Sequence, residues 1–184
     1  MHSTSIENMK KFYKEYLKDG NSILDIGAKK YHGHQSYKDI LPNNIKNIEY
    51  TGTDIVEGKN VNIVLTDPYN WKNVISDNTY DIVISGQTFE HTEFFWVTFQ
   101  EMVRVTKEGG YICIIAPSRG KIHRYPVDCW RFHPDGMVAL AKYTKTELLN
   151  SYISEGGWGD CVGIFQKHLK YSVRELTDEN KSTT

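Results

Sequence analysis

Cysteine is scarce in this chain. Three occur in 184 residues, at Cys113, Cys129 and Cys161, and none stands in a CxxC spacing. That argues against a disulfide framework and against a thiolate zinc site. Long apolar runs are missing too. No stretch reaches the roughly eighteen residues that a membrane-spanning helix needs, so no membrane insertion is expected. The opening twenty residues are polar and periodic without an apolar core, unlike a secretion signal. Charge of one sign is also lacking, with 22 Lys and Arg against 23 Asp and Glu and a formal net charge of −1. No global basic field is available for a phosphate backbone, and a nucleic-acid partner is not expected. Internal repeats and low-complexity segments are absent. The expectation is a cytoplasmic, soluble protein with one domain over 1–170 and a polar tail at 171–184 that frays.

Apolar residues make up 39% of the chain and charged ones 24%, which favours a packed core over disorder. Ile6, Met9, Phe12, Tyr13, Tyr16 and Leu17 recur at helical spacing across 5–18, stopped by Gly20. Strand patterns follow at 22–26, 48–55, 60–65, 80–85 and 111–116, the last being the most continuously apolar. A helix suits 88–106, with Gly109 and Gly110 as its stop, and a short helix suits 135–143. Weaker strands fit 146–153 and 160–167. Only Glu155-Gly-Gly-Trp158 separates their cores, too short for a crossover, so that pair is an antiparallel hairpin. Near-continuous apolar strands imply a sheet covered on both faces. The fold class is therefore α/β, three-layered and Rossmann-like, with seven strands in a mostly parallel sheet and a terminal antiparallel hairpin.

Ligands of open parallel sheets bind at the carboxyl ends of the strands, near the switch point. Here the strand ends carry Asp25 and Gly27, then Asp54, then Asp67-Pro68, then Ser85-Gly86-Gln87, then Pro117-Ser118-Arg119. An acid closing the second strand commonly accepts the hydroxyls of a ribose. Glycine after the first strand permits close backbone approach. One acid at one strand end reads as a turn residue; the ordered set reads as a site.

These residues resemble the class I S-adenosylmethionine-dependent methyltransferases over about 20–167. Ile23-Leu-Asp-Ile-Gly27 looks like their first motif, and Tyr50-Thr-Gly-Thr-Asp54 like the second strand with its ribose-binding acid. Thr66-Asp67 looks like the position contacting the adenine amino group. Tyr80–Ser85 with Phe89-Glu90-His91, and Val103–Gly110 with the fifth strand, complete the match. More narrowly, Ala116-Pro-Ser-Arg-Gly120 and His123–Phe132 resemble a bacterial, type 11-like subgroup of small methyltransferases, often associated with surface polysaccharide synthesis. The resemblance implies S-adenosylmethionine as cofactor, bound by Asp25, Gly27, Asp54, Ile55, Thr66, Asp67, Pro68, Ser85, Gly86 and Gln87, with Tyr69 or Trp71 enclosing the adenine. It departs from the family in one loop: Lys29 and Tyr31 stand where a GxGxG run has its later glycines, which leaves Gly33 to make the turn. A nicotinamide oxidoreductase is disfavoured because GxGxxG is missing.

On the acceptor side, His123–Phe132 is crowded with His, Arg, Tyr, Asp and Trp. Tyr125, Asp128, Trp130 and Arg131 are the expected substrate contacts, although Asp128 with Arg131 also reads as an ion pair and the aromatics as packing. His91 and His123 are the expected bases for a hydroxyl acceptor. Some ribose methyltransferases hold a divalent ion with a Glu-x-x-Glu-His cluster and a distant His. Gln87 occupies the first of those positions here and is a poor ligand for a hard cation, and His32 and His34 are only a loop pair, so no metal site is expected. The function these residues imply is methyl transfer from S-adenosylmethionine to an oxygen or nitrogen of a small acceptor, most simply a saccharide. The rival readings are a non-catalytic cofactor-binding subunit and a nicotinamide-dependent oxidoreductase.

Overall fold

The computed structural model describes residues 2–169, so the expected polar tail at 171–184 lies outside the described residues. Among the described residues, seven strands form one sheet: β1 (Ser22–Ile26), β2 (Glu49–Asp54), β3 (Ile63–Val64), β4 (Tyr80–Gly86), β5 (Thr106–Pro117), β6 (Glu147–Ile153) and β7 (Asp160–Gln166). Their spatial order is β3-β2-β1-β4-β5-β7-β6. The first five pair in parallel, and β7 runs antiparallel to both β5 and β6. The sheet and its terminal hairpin are those expected from the sequence.

Alternation of side chains along each strand divides the core into two layers. Ile23, Ile82, Ile84, Cys113, Ile115, Val162 and Ile164 face the helix α1 (Ser3–Tyr16), which buries Ile6, Met9, Phe12 and Tyr13 against them. Leu24, Val83, Ile112, Ile114 and Phe165 face α2 (Phe95–Val105) and α3 (Pro134–Thr144) through Phe99, Met102, Met137 and Leu140. Both faces are covered, which is why the central strands read as unbroken apolar runs.

Three boundaries differ from the sequence reading. The helix expected over 88–106 begins only at Phe95; before it, Phe89–His91 forms a 3-10 turn whose Thr92 Oγ1 donates to the Thr88 carbonyl oxygen at 3.0 Å. The glycines at 109 and 110 do not stop that helix, which ends at Val105. They lie inside β5, where its pairing with β4 shifts register between Tyr80 and Ile82. The third strand is only two residues long. The links from β1 to β2 and from β3 to β4 carry no α-helix, and a 3-10 turn at Lys38–Ile40 is the one helical piece in the first. Their Asn, Asp and Pro content favours turns. The chain leaves β1 toward β2 on one side and returns to β4 on the other, so the two strand ends diverge and open a crevice between them.

Candidate active site

A cleft of about 700 Å³ occupies that crevice. One wall comes from the end of β1. Gly27 has φ +79°, and a side chain there would meet Thr88 Oγ1 at 2.1 Å, so only glycine lets the two strand ends approach this closely. The expected turn at Gly33 is present, with φ +79° and the His34 N–H donating to the Tyr31 carbonyl oxygen. The loop path thus bends at Gly33 without the usual glycine run. Lys29, Tyr31, His32 and His34 from this loop line the cleft.

Asp54 closes β2 and lines the cleft beside Ile55. Its carboxylate is steadied by the N–H groups of Lys29 at 3.2 Å and Val56 at 3.3 Å, both long contacts that leave it capacity to accept more. Leu65, Pro68, Tyr69 and Trp71 form an apolar flank. Trp71 is fully buried, and its Nε1–H donates to the Pro68 carbonyl oxygen. At the far end stand Gln87, Thr88, Glu90, His91, His123, Tyr125, Pro126 and Val127. Gln87 takes φ +56°, held by its Nε2–H on Asp160 Oδ1 at 3.0 Å and by His2 Nε2 against its Oε1 at 3.1 Å. His91 Nδ1 lies 2.6 Å from the Val127 carbonyl oxygen. Burial lowers the His91 pKa from its ordinary value and pushes the Glu90 carboxyl up to about 8.

The family profile described as a methyltransferase domain matches residues 25–114, the span from β1 through most of β5. The match covers 90 of the 184 residues, and the chain has the fold of the class I S-adenosylmethionine-dependent methyltransferases. A solved S-adenosylmethionine-dependent methyltransferase from Aquifex aeolicus shares the fold, with 17% identity, TM-score 0.62, and cover of 90% of this chain and 98% of that one. So does 1,6-didemethyltoxoflavin-N1-methyltransferase from Burkholderia thailandensis, solved with 1,6-didemethyltoxoflavin and S-adenosylhomocysteine, with 11% identity, TM-score 0.69, and cover of 90% and 79%. A DNA-(apurinic or apyrimidinic site) endonuclease of Arabidopsis thaliana is 36% identical over 53 residues, and the chain spans 15% of that relative's length.

The methyltransferase-domain match and the two methyltransferase neighbours support S-adenosylmethionine as the cofactor, and the cleft fits it. An acidic group with spare acceptor capacity faces an apolar flank, and a glycine brings bare backbone to the strand-end crevice. Several expected ligands nonetheless lie elsewhere. Asp25 is 3% exposed and points behind the cleft, where the Tyr50 hydroxyl donates to it at 2.5 Å. Burial raises its carboxyl to about 7. Ser85 is buried and donates to the Ile26 carbonyl oxygen at 3.1 Å, bracing β4 on β1. Gly86 is packed by the Tyr37 ring, which a side chain would strike. Thr66 and Asp67 are exposed and outside the cleft lining, and Asp67 Oδ1 accepts the Tyr69 N–H at 2.8 Å in a turn. Gly27, Asp54, Ile55, Pro68 and Gln87 do line it.

The acceptor-side segment divides in the same way. His91, His123 and Tyr125 reach the cleft, whereas Asp128, Trp130 and Arg131 do not. Arg131 grips Asp128 through two contacts of 2.6 and 2.8 Å, and Asp128 accepts the His123 N–H at 2.7 Å. Trp130 stacks edge-on against Phe95 and Trp96 and donates from Nε1 to the Thr92 and Glu93 carbonyl oxygens. These three build the loop that presents His123. Sequence reasoning missed His2, Thr88 and Trp158 as wall residues, since each reaches the cleft only through tertiary pairing. Thr88 had one available signal, its place directly after the strand end that carries Gln87.

Proposed function

We propose that the protein transfers the methyl group of S-adenosylmethionine to an oxygen or nitrogen of a small acceptor, with a saccharide as the acceptor class best matched. The observation that carries this reading is the extent of the cleft, which runs without interruption from Asp54 to His123 and Tyr125. Its volume falls within the roughly 300–1,000 Å³ of small-molecule sites, and its two ends differ in chemistry. The Asp54 end suits a ribose, the Leu65 to Trp71 flank an adenine, and Gln87 the methionine portion. The cofactor supplies a methyl on an activated sulfonium, so alignment of the acceptor does much of the work.

His91 is placed to take a proton. The Val127 carbonyl oxygen can only accept, so Nδ1 carries the hydrogen and Nε2 keeps its lone pair. Burial holds the ring neutral, the state that a general base requires. His123 and Tyr125 meet the His91 ring edge-on, with centroids 4.8 and 5.8 Å away, and form the wall that an acceptor ring would rest on. Isothermal titration with S-adenosylhomocysteine, then turnover with a panel of nucleotide sugars, tests the proposal. Binding without turnover on any hydroxyl or amine acceptor would leave a cofactor-binding subunit, and no binding would end the reading.

A further inference from the structure

Glu90 is fully buried, yet among the described residues neither carboxylate oxygen meets a hydrogen-bond donor of another residue. A buried acid left this way costs folding free energy. Its surroundings explain what it faces. One ligand atom from each of Glu90, His91 and His123 lies within 4.8 Å of the others, and His91 Nε2 stands 3.6 Å from Glu90 Oε1.

The proton inventory of the two rings decides the chemistry. His91 Nδ1 points at the Val127 carbonyl oxygen. His123 Nδ1 points at the Lys121 carbonyl oxygen at 3.3 Å and at Asp128 Oδ2 at 3.4 Å. All of these partners are acceptors, so each Nδ1 carries the hydrogen and each Nε2 offers a lone pair. Two imidazole lone pairs thus converge on the Glu90 carboxyl, whose proton a bound cation would displace. Histidines that bind metals have this arrangement: the second nitrogen is fixed by a carbonyl or carboxylate, which sets both tautomer and ring orientation. Arg131 in turn fixes Asp128, and the Cys129 N–H donates to the Glu90 carbonyl oxygen at 2.7 Å, tying the loop to the 3-10 turn.

We propose that Glu90, His91 and His123 form a binding site for a divalent transition-metal ion at the acceptor end of the cleft. Two imidazoles and one carboxylate suit Zn²⁺, Co²⁺ or Fe²⁺ over Mg²⁺ or Ca²⁺, which prefer all-oxygen sets. Ligand atoms at about 2.0–2.2 Å from a common ion lie roughly 3–3.5 Å apart. The Glu90–His91 pair is close to that spacing at 3.6 Å, and His123, whose ligand atom lies within 4.8 Å of the other two, would have to close the remaining gap. Three protein ligands leave open positions toward the cleft, where an oxygen of the acceptor would bind. That last role rests on the methyl-transfer reading, and with an ion bound His91 Nε2 would be its ligand and not the base; the metal site itself does not rest on that reading.

The test is calorimetric titration of chelator-stripped full-length protein with Zn²⁺, and with Co²⁺ followed by visible absorption. The expected result is one equivalent bound, weakened roughly 10-fold or more by Glu90→Gln and by His123→Ala, with exposed His133→Ala unchanged. The Co²⁺ ligand-field bands should shift or vanish in the His123 variant. Uptake that is absent in wild type, or equal in wild type and both ligand variants, overturns the site. S-adenosylhomocysteine titration of the same samples separates the two proposals. Metal uptake without nucleoside binding would sink the methyl-transfer reading alone, and the reverse would sink the metal site alone.

Discussion

Single side chains in this protein announce their roles through what they leave unsatisfied. Among the described residues Asp54 has only long contacts from two N–H groups, and a ligand diol would complete it. Asp54→Ala should weaken S-adenosylhomocysteine binding by about 2–3 kcal/mol, roughly 30- to 150-fold by calorimetry, given 1.5–3 kcal/mol per charge-assisted bond before water compensates. Asp67→Ala should leave that affinity within about three-fold, because its carboxylate is committed to the Tyr69 N–H; a larger loss would return Asp67 to the adenine site. Asp25 makes a different statement. Its folded pKa is raised from 3.8 to about 7 by burial, with Tyr50 opposing. Below about pH 4 the group is protonated both folded and unfolded and costs nothing. As pH rises toward 7, the unfolded chain gives up the proton more readily, so stability falls, and the full cost persists above pH 7. Asp25→Asn should therefore unfold at higher urea than wild type at pH 8, by on the order of 1–3 kcal/mol, and the gap should close toward pH 4. Parallel profiles across that range would mean that Asp25 is not the group responsible.

Secondary-structure elements were the most legible part of the sequence, for a reason visible in β4. Tyr80-Asp-Ile-Val-Ile-Ser85 has alternate residues buried against opposite helical layers, and a strand covered on both sides can only be apolar throughout. The segment 88–94 was less legible. Its apolar residues suit a helix, but Thr88 is needed against Gly27, and the 3-10 turn directs Glu90 and His91 into the cleft. The loop 121–132 was legible in composition but not in the division of labour: which of its polar residues face inward is settled by Asp128 pairing with Arg131, a tertiary choice. Arg131→Ala should free Asp128 and loosen His123, lowering turnover by roughly 10-fold or more while S-adenosylhomocysteine affinity stays within about three-fold. Loss of both together would make the loop a cofactor element. In α2, Phe99 is fully buried with its ring 4.8 Å from that of Phe165. Phe99→Ala should cost about 3–5 kcal/mol in chemical denaturation.

At the scale of the whole molecule, the strand order puts the cleft at the carboxyl ends of the central strands, so binding should register as global stability. At a concentration about 100 times its Kd, S-adenosylhomocysteine should add about 2.7 kcal/mol and raise Tm by roughly 5–10 °C for a domain of this length. NAD at the same concentration should not. The cysteines give the same molecule a second readout. Cys113 and Cys161 are buried, and burial pushes the Cys161 thiol up to about 11 and the Cys113 thiol further still, so neither presents a thiolate to solvent near neutral pH. Cys129 is exposed, and its backbone is hydrogen-bonded to Glu90. A thiol-reactive dye added to native, unmodified protein should therefore attach at one position beside the acceptor end of the cleft, and reach the other two only on unfolding. The chain thus carries its own single-site reporter, with site occupancy read from the rate at Cys129 and global opening from the rate at Cys113 and Cys161.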